Sequence, residues 1–298
     1  MTRRKTLVVA FAAAAVATAA GLLAAWLMHV RAEEKAETER EALYRQFGIS
    51  ASGKKRFVPM PPILTHHGSR ALLGQQLFND RRLACSQRLV CGACHWLGAG
   101  GTDSRIHHGK ITRPVHNAVF ATCYMHDGGM SNLHDVVRTM IVTPYFCGGN
   151  SLDVALSRLS ADAPLVKRFE SAYRGEGGLN GTNVVDSVVE YMKTLITSGT
   201  PYDFWCAGHE ERLTAEARRG SEVFLSARCM DCHDGPALGA RKVSNGRKVP
   251  ALRGLSLRKA YLTEGKLKEL DAVVPLMPGG ASLPPEDLKT LVEFLKVL

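Results

Sequence analysis

Two copies of one five-residue pattern constrain this chain more than anything else in it. Cys91-Gly92-Ala93-Cys94-His95 and Cys229-Met230-Asp231-Cys232-His233 each set two thiols two residues apart, with an imidazole directly behind the second. Cys-x-x-Cys-His is the pattern of covalent c-type haem attachment. Both thiols add to haem vinyl groups, and the adjacent His is thereby held under the iron. A four-thiolate zinc centre is the competing use of two Cys-x-x-Cys pairs, but it gives no role to a His straight after each pair. Cys91, Cys94, Cys229 and Cys232 therefore read as attachment residues for two haem c groups, and His95 and His233 as proximal iron ligands.

The flanks of the two motifs repeat as well. Gly74-Gln75-Gln76-Leu77-Phe78 precedes the first and Gly220-Ser221-Glu222-Val223-Phe224 the second. Downstream, Tyr124-Met125-His126-Asp127-Gly128 matches Tyr261-Leu262-Thr263-Glu264-Gly265. Leu133 then matches Leu270, Val136-Val137 matches Val273-Val274, and Met140 matches Met277. Tyr124 to Met140 is 16 positions, as is Tyr261 to Met277, and the interval from motif His to Met is 45 in one half and 44 in the other. A duplicated haem domain accounts for this. The sixth iron ligand decides what each haem does: a Met thioether raises the potential and makes an electron carrier, whereas an open or displaceable position permits peroxide chemistry. Met277, just before Pro278-Gly279-Gly280, has the spacing of a distal ligand, and the repeat makes Met140 its counterpart on the first haem.

Length and pattern suggest an all-α fold of two cytochrome-c-like haem domains. With 298 residues the chain has room for roughly two domains, and convincing strand alternation is absent. Apolar spacing predicts helices over Ser69–Phe78, Leu152–Tyr173, Val184–Ile196, Thr214–Ser226 (Thr214 as N-cap) and Leu288–Leu298. Ser198-Gly199-Thr200-Pro201 breaks the pattern, so the domains are drawn at 63–200 and 201–298. Residues 31–62 read as a helical stalk and linker. Residues 1–30 read as a signal anchor: Arg3-Arg4-Lys5 precedes Thr6–Val30, which carries no charged side chain and is longer than the apolar core of a cleaved leader. Cleavage in the Ala-rich run is the alternative. The positive flank puts the rest of the chain on the periplasmic face of the inner membrane. In that compartment Cys85, Cys123, Cys147 and Cys206 suggest disulfides, with three pairings open. The net charge of +10 favours an acidic redox partner or an anionic membrane face, and no nucleic-acid module is present.

With both motifs and flanks in view, the chain resembles the bacterial di-haem cytochrome c peroxidase family, which includes MauG-type protein-oxidising enzymes. The carriers run from Leu73-Gly74-Gln75-Gln76-Leu77-Phe78-Asn79-Asp80-Arg81-Arg82-Leu83 through Gly98-Ala99-Gly100-Gly101-Thr102-Asp103 and Asn117-Ala118-Val119-Phe120 to Val249-Pro250-Ala251-Leu252-Arg253 and Met277. The resemblance implies reduction of hydrogen peroxide at the first haem and electron entry at a His233/Met277 haem. The donor would be a small periplasmic cytochrome c or cupredoxin, or a membrane quinol pathway. The family is often dimeric. His108 matches its displaceable distal His, in competition with Met140. Met277 fits peroxidases rather than MauG-type enzymes, which carry Tyr there. The chain also departs from the family. Its distal Glu falls near Phe146 or Cys147 and its Gln near Val136, so proton transfer to peroxide would fall to His107, His126 or His134. The Asn of its calcium site falls near Thr112, which leaves calcium an open expectation. A di-haem electron carrier without peroxidase activity is the alternative function, and MauG-like oxidation of a partner protein a third.

Overall fold

The computed structural model describes residues 57–83, 87, 89–103, 105–107, 109–142 and 152–298. Ten helical segments run along them: α1 (Gly68–Phe78), α2 (Cys91–Cys94), α3 (Leu133–Val142), α4 (Leu152–Ser160), α5 (Ala163–Ala172), α6 (Gly181–Met192), α7 (Pro201–Cys206), α8 (Ala215–Ser226), α9 (Leu270–Val273) and α10 (Pro285–Lys296). The all-α expectation needs one correction. The fold is mostly helical, but two short antiparallel hairpins interrupt it, β1–β2 (Ile106–His107, Lys110–Ile111) and β3–β4 (Val243–Ser244, Arg247–Lys248). The second turns on Asn245-Gly246, both with positive φ (49° and 68°), the pair that a tight two-residue hairpin turn favours.

Local chemistry sets the helix ends. The single helix expected over Leu152–Tyr173 is two, because the Asp162 carboxylate accepts from Leu165 N (3.0 Å) and Pro164 sits in the new first turn. Asn180 caps α6 through Asn183 N (2.9 Å), so that helix starts earlier than the apolar run and stops at Met192. Thr214 caps α8 as expected, accepting from Ala217 N (3.1 Å). At the expected break, Thr200 and Asp203 form a capping box that starts α7. Helix α3 was not expected; Asn132 Oδ1 accepts from His134 N (2.8 Å) and begins it.

Two apolar clusters form. One gathers α1, α3–α6 around Leu77, Leu159, Phe169 and Val184; the other gathers α7, α8 and α10 around Tyr202, Phe224, Leu291 and Phe294. In each, a glycine lets two helices touch. A Cβ on Gly74 would lie 1.8 Å from the Ser187 carbonyl oxygen, and one on Gly220 would lie 2.0 Å from that of Thr290. Backbone cannot step aside at such distances, so Gly74→Ala and Gly220→Ala are each expected to lose about 1–3 kcal/mol or more through overpacking. Thermal unfolding of the two variants tests this, and a loss within ~0.5 kcal/mol, the size of an ordinary surface change, would remove the close-approach account.

The chain on either side of residue 200 makes matching contacts across the molecule. Ile111 N donates to Thr263 O and Lys248 N to His126 O, both at 2.8 Å. The β-bridge Tyr124–Met130 is repeated by Tyr261–Leu267. Gly128 packs on Val243 and Gly265 on Ile111, both at positive φ. Each hairpin thus leans on the loop that follows the other motif. The second cluster also holds an enclosed ion pair: Arg253 Nη1 and Nη2 donate to Asp203 Oδ1 and Oδ2 at 2.7 and 2.5 Å. The end of the expected linker is tied to the same carboxylate, since Met60 N donates to Asp203 Oδ1 (2.8 Å).

The single-pass anchor is corrected. Among the described residues no helix is long and apolar enough to cross a membrane, so the anchored placement on the inner-membrane face is not retained. Residues 1–30 and most of the stalk lie outside the described residues.

Candidate functional site

Both motifs fold into one turn closed by the same backbone bond, His95 N donating to Cys91 O and His233 N to Cys229 O, each at 2.9 Å. The imidazoles are then fixed from behind. His95 Nδ1 donates to Gly101 O (3.3 Å), with the Arg113 carbonyl as a second backbone acceptor for the ring. His233 Nδ1 donates to Pro250 O (3.1 Å) and Leu238 O (3.3 Å). A proton held on Nδ1 leaves the Nε2 lone pair for a metal and sets the ring plane. Burial lowers the pKa of both rings, which keeps them neutral, the form that ligates.

The thiols suit haem better than zinc. All four are half-buried and free of disulfides. Burial raises the Cys94 thiol, helped by Asp103, and pushes Cys229 up to about 11. Zinc takes thiolates, a form that burial disfavours at Cys94 and Cys229. Nor are the four gathered in one place. Among the described residues, the one group of three metal-ligating types is Cys94, Asp103 and His107, and it contains one motif thiol only. Asp103 is itself occupied by Arg105 and by His107 at 2.8 Å. Paired thiols beside a pre-set imidazole fit a thioether-linked haem in each motif.

The distal candidates divide. Met277 is half-buried at the end of the turn Val274–Leu276, and its carbonyl accepts from Gly280 N (2.9 Å) and Ala281 N (3.2 Å). A Cβ on Gly279 would meet Ala227 O at 2.0 Å and one on Gly280 would meet Val274 O at 1.9 Å, so the double glycine presses this loop onto the helix before the second motif. Met140 lies half-buried on α3. His108, Phe146 and Cys147 lie outside the described residues. Of the three His considered for proton transfer, His107 pairs with Asp103 and His134 with Asp186 (3.3 Å), both exposed. His126 is enclosed, its Nδ1 has no hydrogen-bond partner among the described residues, and burial pushes its pKa down to about 4.

Three cations near the motifs were not singled out from sequence. Arg113, Lys248 and Arg258 come from three separate stretches and converge, each within electrostatic reach of Arg113. Burial holds Lys248 down to about 8 and Arg258 to about 10.

Comparison with known proteins fits this geometry. Residues 68–211 match the family described as di-haem cytochrome c peroxidase. The cytochrome c peroxidase Ccp of Escherichia coli K12 is 30% identical over 315 residues, spanning 92% of this chain and 66% of that protein. The chain belongs to the di-haem cytochrome c peroxidase/MauG family. The MauG protein of Methylorubrum extorquens is 27% identical over 261 residues, 76% of this chain and 74% of MauG. Among solved structures, a MauG-like protein associated with microbial copper homeostasis superposes with a TM-score of 0.68 at 17% identity, covering 82% of this chain and 93% of that one. The di-haem peroxidase BthA of Burkholderia thailandensis gives 0.60 at 14% identity, covering 82% and 89%. These two carry the fold. Two covalently bound haem c groups come with membership of this peroxidase family.

Proposed function

We propose that this chain is a di-haem peroxidase that reduces hydrogen peroxide to water with electrons from a small cytochrome: one peroxide, two electrons and two protons give two waters. The observation that carries it is the pair of imidazoles, His95 and His233, each locked through Nδ1 behind its own Cys-x-x-Cys turn. Haem, when bound, supplies one-electron redox chemistry at both motifs and reaction with peroxide at one of them. Cys91, Cys94, Cys229 and Cys232 would attach it, and His95 and His233 would ligate its iron. Met277 closes the second site and makes it the point of electron entry. The first site, under Met140 or His108, is the one that opens to peroxide.

The reciprocal hairpin contacts support a duplicated haem module, with domains at 63–200 and 201–298. A second reading, a di-haem electron carrier, is favoured by the apolar Val136 and by the surface ion pairs of His107 and His134. The donor assay decides between them. Reduced small cytochrome, hydrogen peroxide and the purified two-haem protein are mixed, and sustained oxidation of two cytochromes per peroxide is the expected result. Two haems per chain in alkaline pyridine without any turnover would leave the carrier. A single haem per chain would end both.

A further inference from the structure

Arg113, Lys248 and Arg258 form no ion pair among the described residues. Among the described residues, no carboxylate lies within ion-pair distance of any of the three; the neighbouring acids are engaged elsewhere, Glu264 with Arg247 (3.1 Å) and Asp203 with Arg253. Nε of Arg113 and Nε of Arg258 are buried without a hydrogen-bond partner. What the side chains do touch is neutral. Arg113 Nη2 donates to His126 O (3.4 Å), and Arg258 Nη2 to Ala251 O and Arg253 O (3.0 and 3.1 Å). Lys248 Nζ stands 5.1 Å over the Tyr124 ring. The Cys123 sulfur beside Arg113 and Lys248 faces the Ala240 and Lys242 carbonyls (3.6 and 3.7 Å). Glu264 is within electrostatic reach of Arg113 but is already paired with Arg247, and enclosed cations that repel one another without an ion-pair partner are costly.

Their address says what the missing charge is. The Arg113 carbonyl is an acceptor for the His95 ring, and Lys248 lies two residues before Pro250, whose carbonyl accepts from His233. Arg113 thus touches one motif imidazole through its backbone, and Lys248 lies in the hairpin strand that leads to the carbonyl bracing the other. We infer that Arg113, Lys248 and Arg258 form an internal carboxylate site at the junction of the two halves, which holds the propionate groups of the haems. This rests on the two-haem reading. Guanidinium is suited to the task because its planar fork matches a carboxylate and stays charged under burial.

Phosphate offers the same oxyanion chemistry from solution, so the test has two arms. The first uses Arg113→Gln and Lys248→Met in the two-haem protein, with Arg113→Lys as the charge-retaining control and Arg219→Gln, an exposed cation on α8 paired with Asp287, as the off-site control. Haem content is read in alkaline pyridine and both reduction potentials by titration. Removing a cation next to a propionate favours the oxidised iron. The expected result is two haems still attached and at least one potential lowered enough to change the oxidised-to-reduced ratio tenfold at fixed poise, ~59 mV for one electron. Arg113→Lys and Arg219→Gln should keep both potentials. Arg113 lies just after β2 and Lys248 in β4, so either variant suffices if the other does not accumulate. Unchanged potentials in the variant obtained would overturn the site. In the second arm the wild-type potentials are measured with and without phosphate at equal ionic strength. Insensitivity supports haem carboxylates, and a phosphate-dependent shift assigns the cations to a diffusible anion and overturns the inference. A wild-type protein without two haems would instead remove the function proposed above.

Discussion

Asp203→Ala is expected to cost about 3–5 kcal/mol of stability, the range for removing one partner of an enclosed ion pair. The Arg253 side chain is 0% exposed and that of Asp203 is 8% exposed. The guanidinium meets the carboxylate with both forks, donates to Thr197 O (3.0 Å) and Thr200 Oγ1 (3.1 Å), and lies 4.7 Å over the Tyr202 ring. Asp203 does more than neutralise. Its oxygens also accept from Met60 N and from Thr200 N, which starts α7. Alanine at 203 would strand a charge and free two backbone donors at once. At roughly 2–4 °C per kcal/mol for a protein of this size, the midpoint of thermal unfolding should fall by about 10 °C. Restoring an apolar pair with Arg253→Met in the same chain should recover part of the loss, since the stranded charge is then gone. A fall of no more than ~2 °C for Asp203→Ala would show that the pair does not hold the second cluster together.

Met277→His is expected to leave both haems attached and to disable electron entry. A thioether on the distal side raises a haem's potential, and imidazole in its place lowers it. Axial ligation moves potentials across a span of about 0.8 V. A fall of only ~120 mV already reduces the equilibrium transfer of an electron from a fixed donor about a hundredfold. Turnover with a reduced cytochrome should drop by at least about that factor, while the haem count in alkaline pyridine stays at two. The loop can present either side chain without repacking, because its shape is set by Gly279 and Gly280 against Ala227 and Val274 and by the Met277 backbone rather than by its sulfur. An unchanged potential would take Met277 out of the ligand set and leave the second distal position to another residue.

The sequence disclosed the chemistry more readily than the geometry around it. Cys-x-x-Cys-His is local, so two thiols and an imidazole at fixed spacing can be read directly. What braces each imidazole leaves no such mark: Gly101, Leu238 and Pro250 lie 6, 5 and 17 residues beyond their His, and each acts through a carbonyl, which carries no residue signature. Helices legible from apolar spacing were found, but their limits were decided by single side chains, Asp162 and Asn180 above all. The hairpin over Val243–Lys248 was legible through Asn245-Gly246 and was passed over, because two-residue strands show no alternation. Arg253 stands in one of the stretches that carry the family resemblance, yet nothing in its neighbourhood names Asp203 as its partner. Arg113, Lys248 and Arg258 look like ordinary surface charge until folding sets them side by side.

The exchange of hairpins between the two halves restricts how either may change. The main-chain donor of Ile111 is taken up by the loop after the second motif, and that of Lys248 by the loop after the first. A residue gained or lost near Gly109 or Gly246 would slip a strand and misplace a loop belonging to the opposite motif. Neither copy is therefore at liberty to drift in length by itself, and a graft carrying one motif without its counterpart would arrive with an unmatched edge. The clasp also ties the surroundings of each motif to those of the other through peptide hydrogen bonds, which do not depend on the identity of the side chains at those positions.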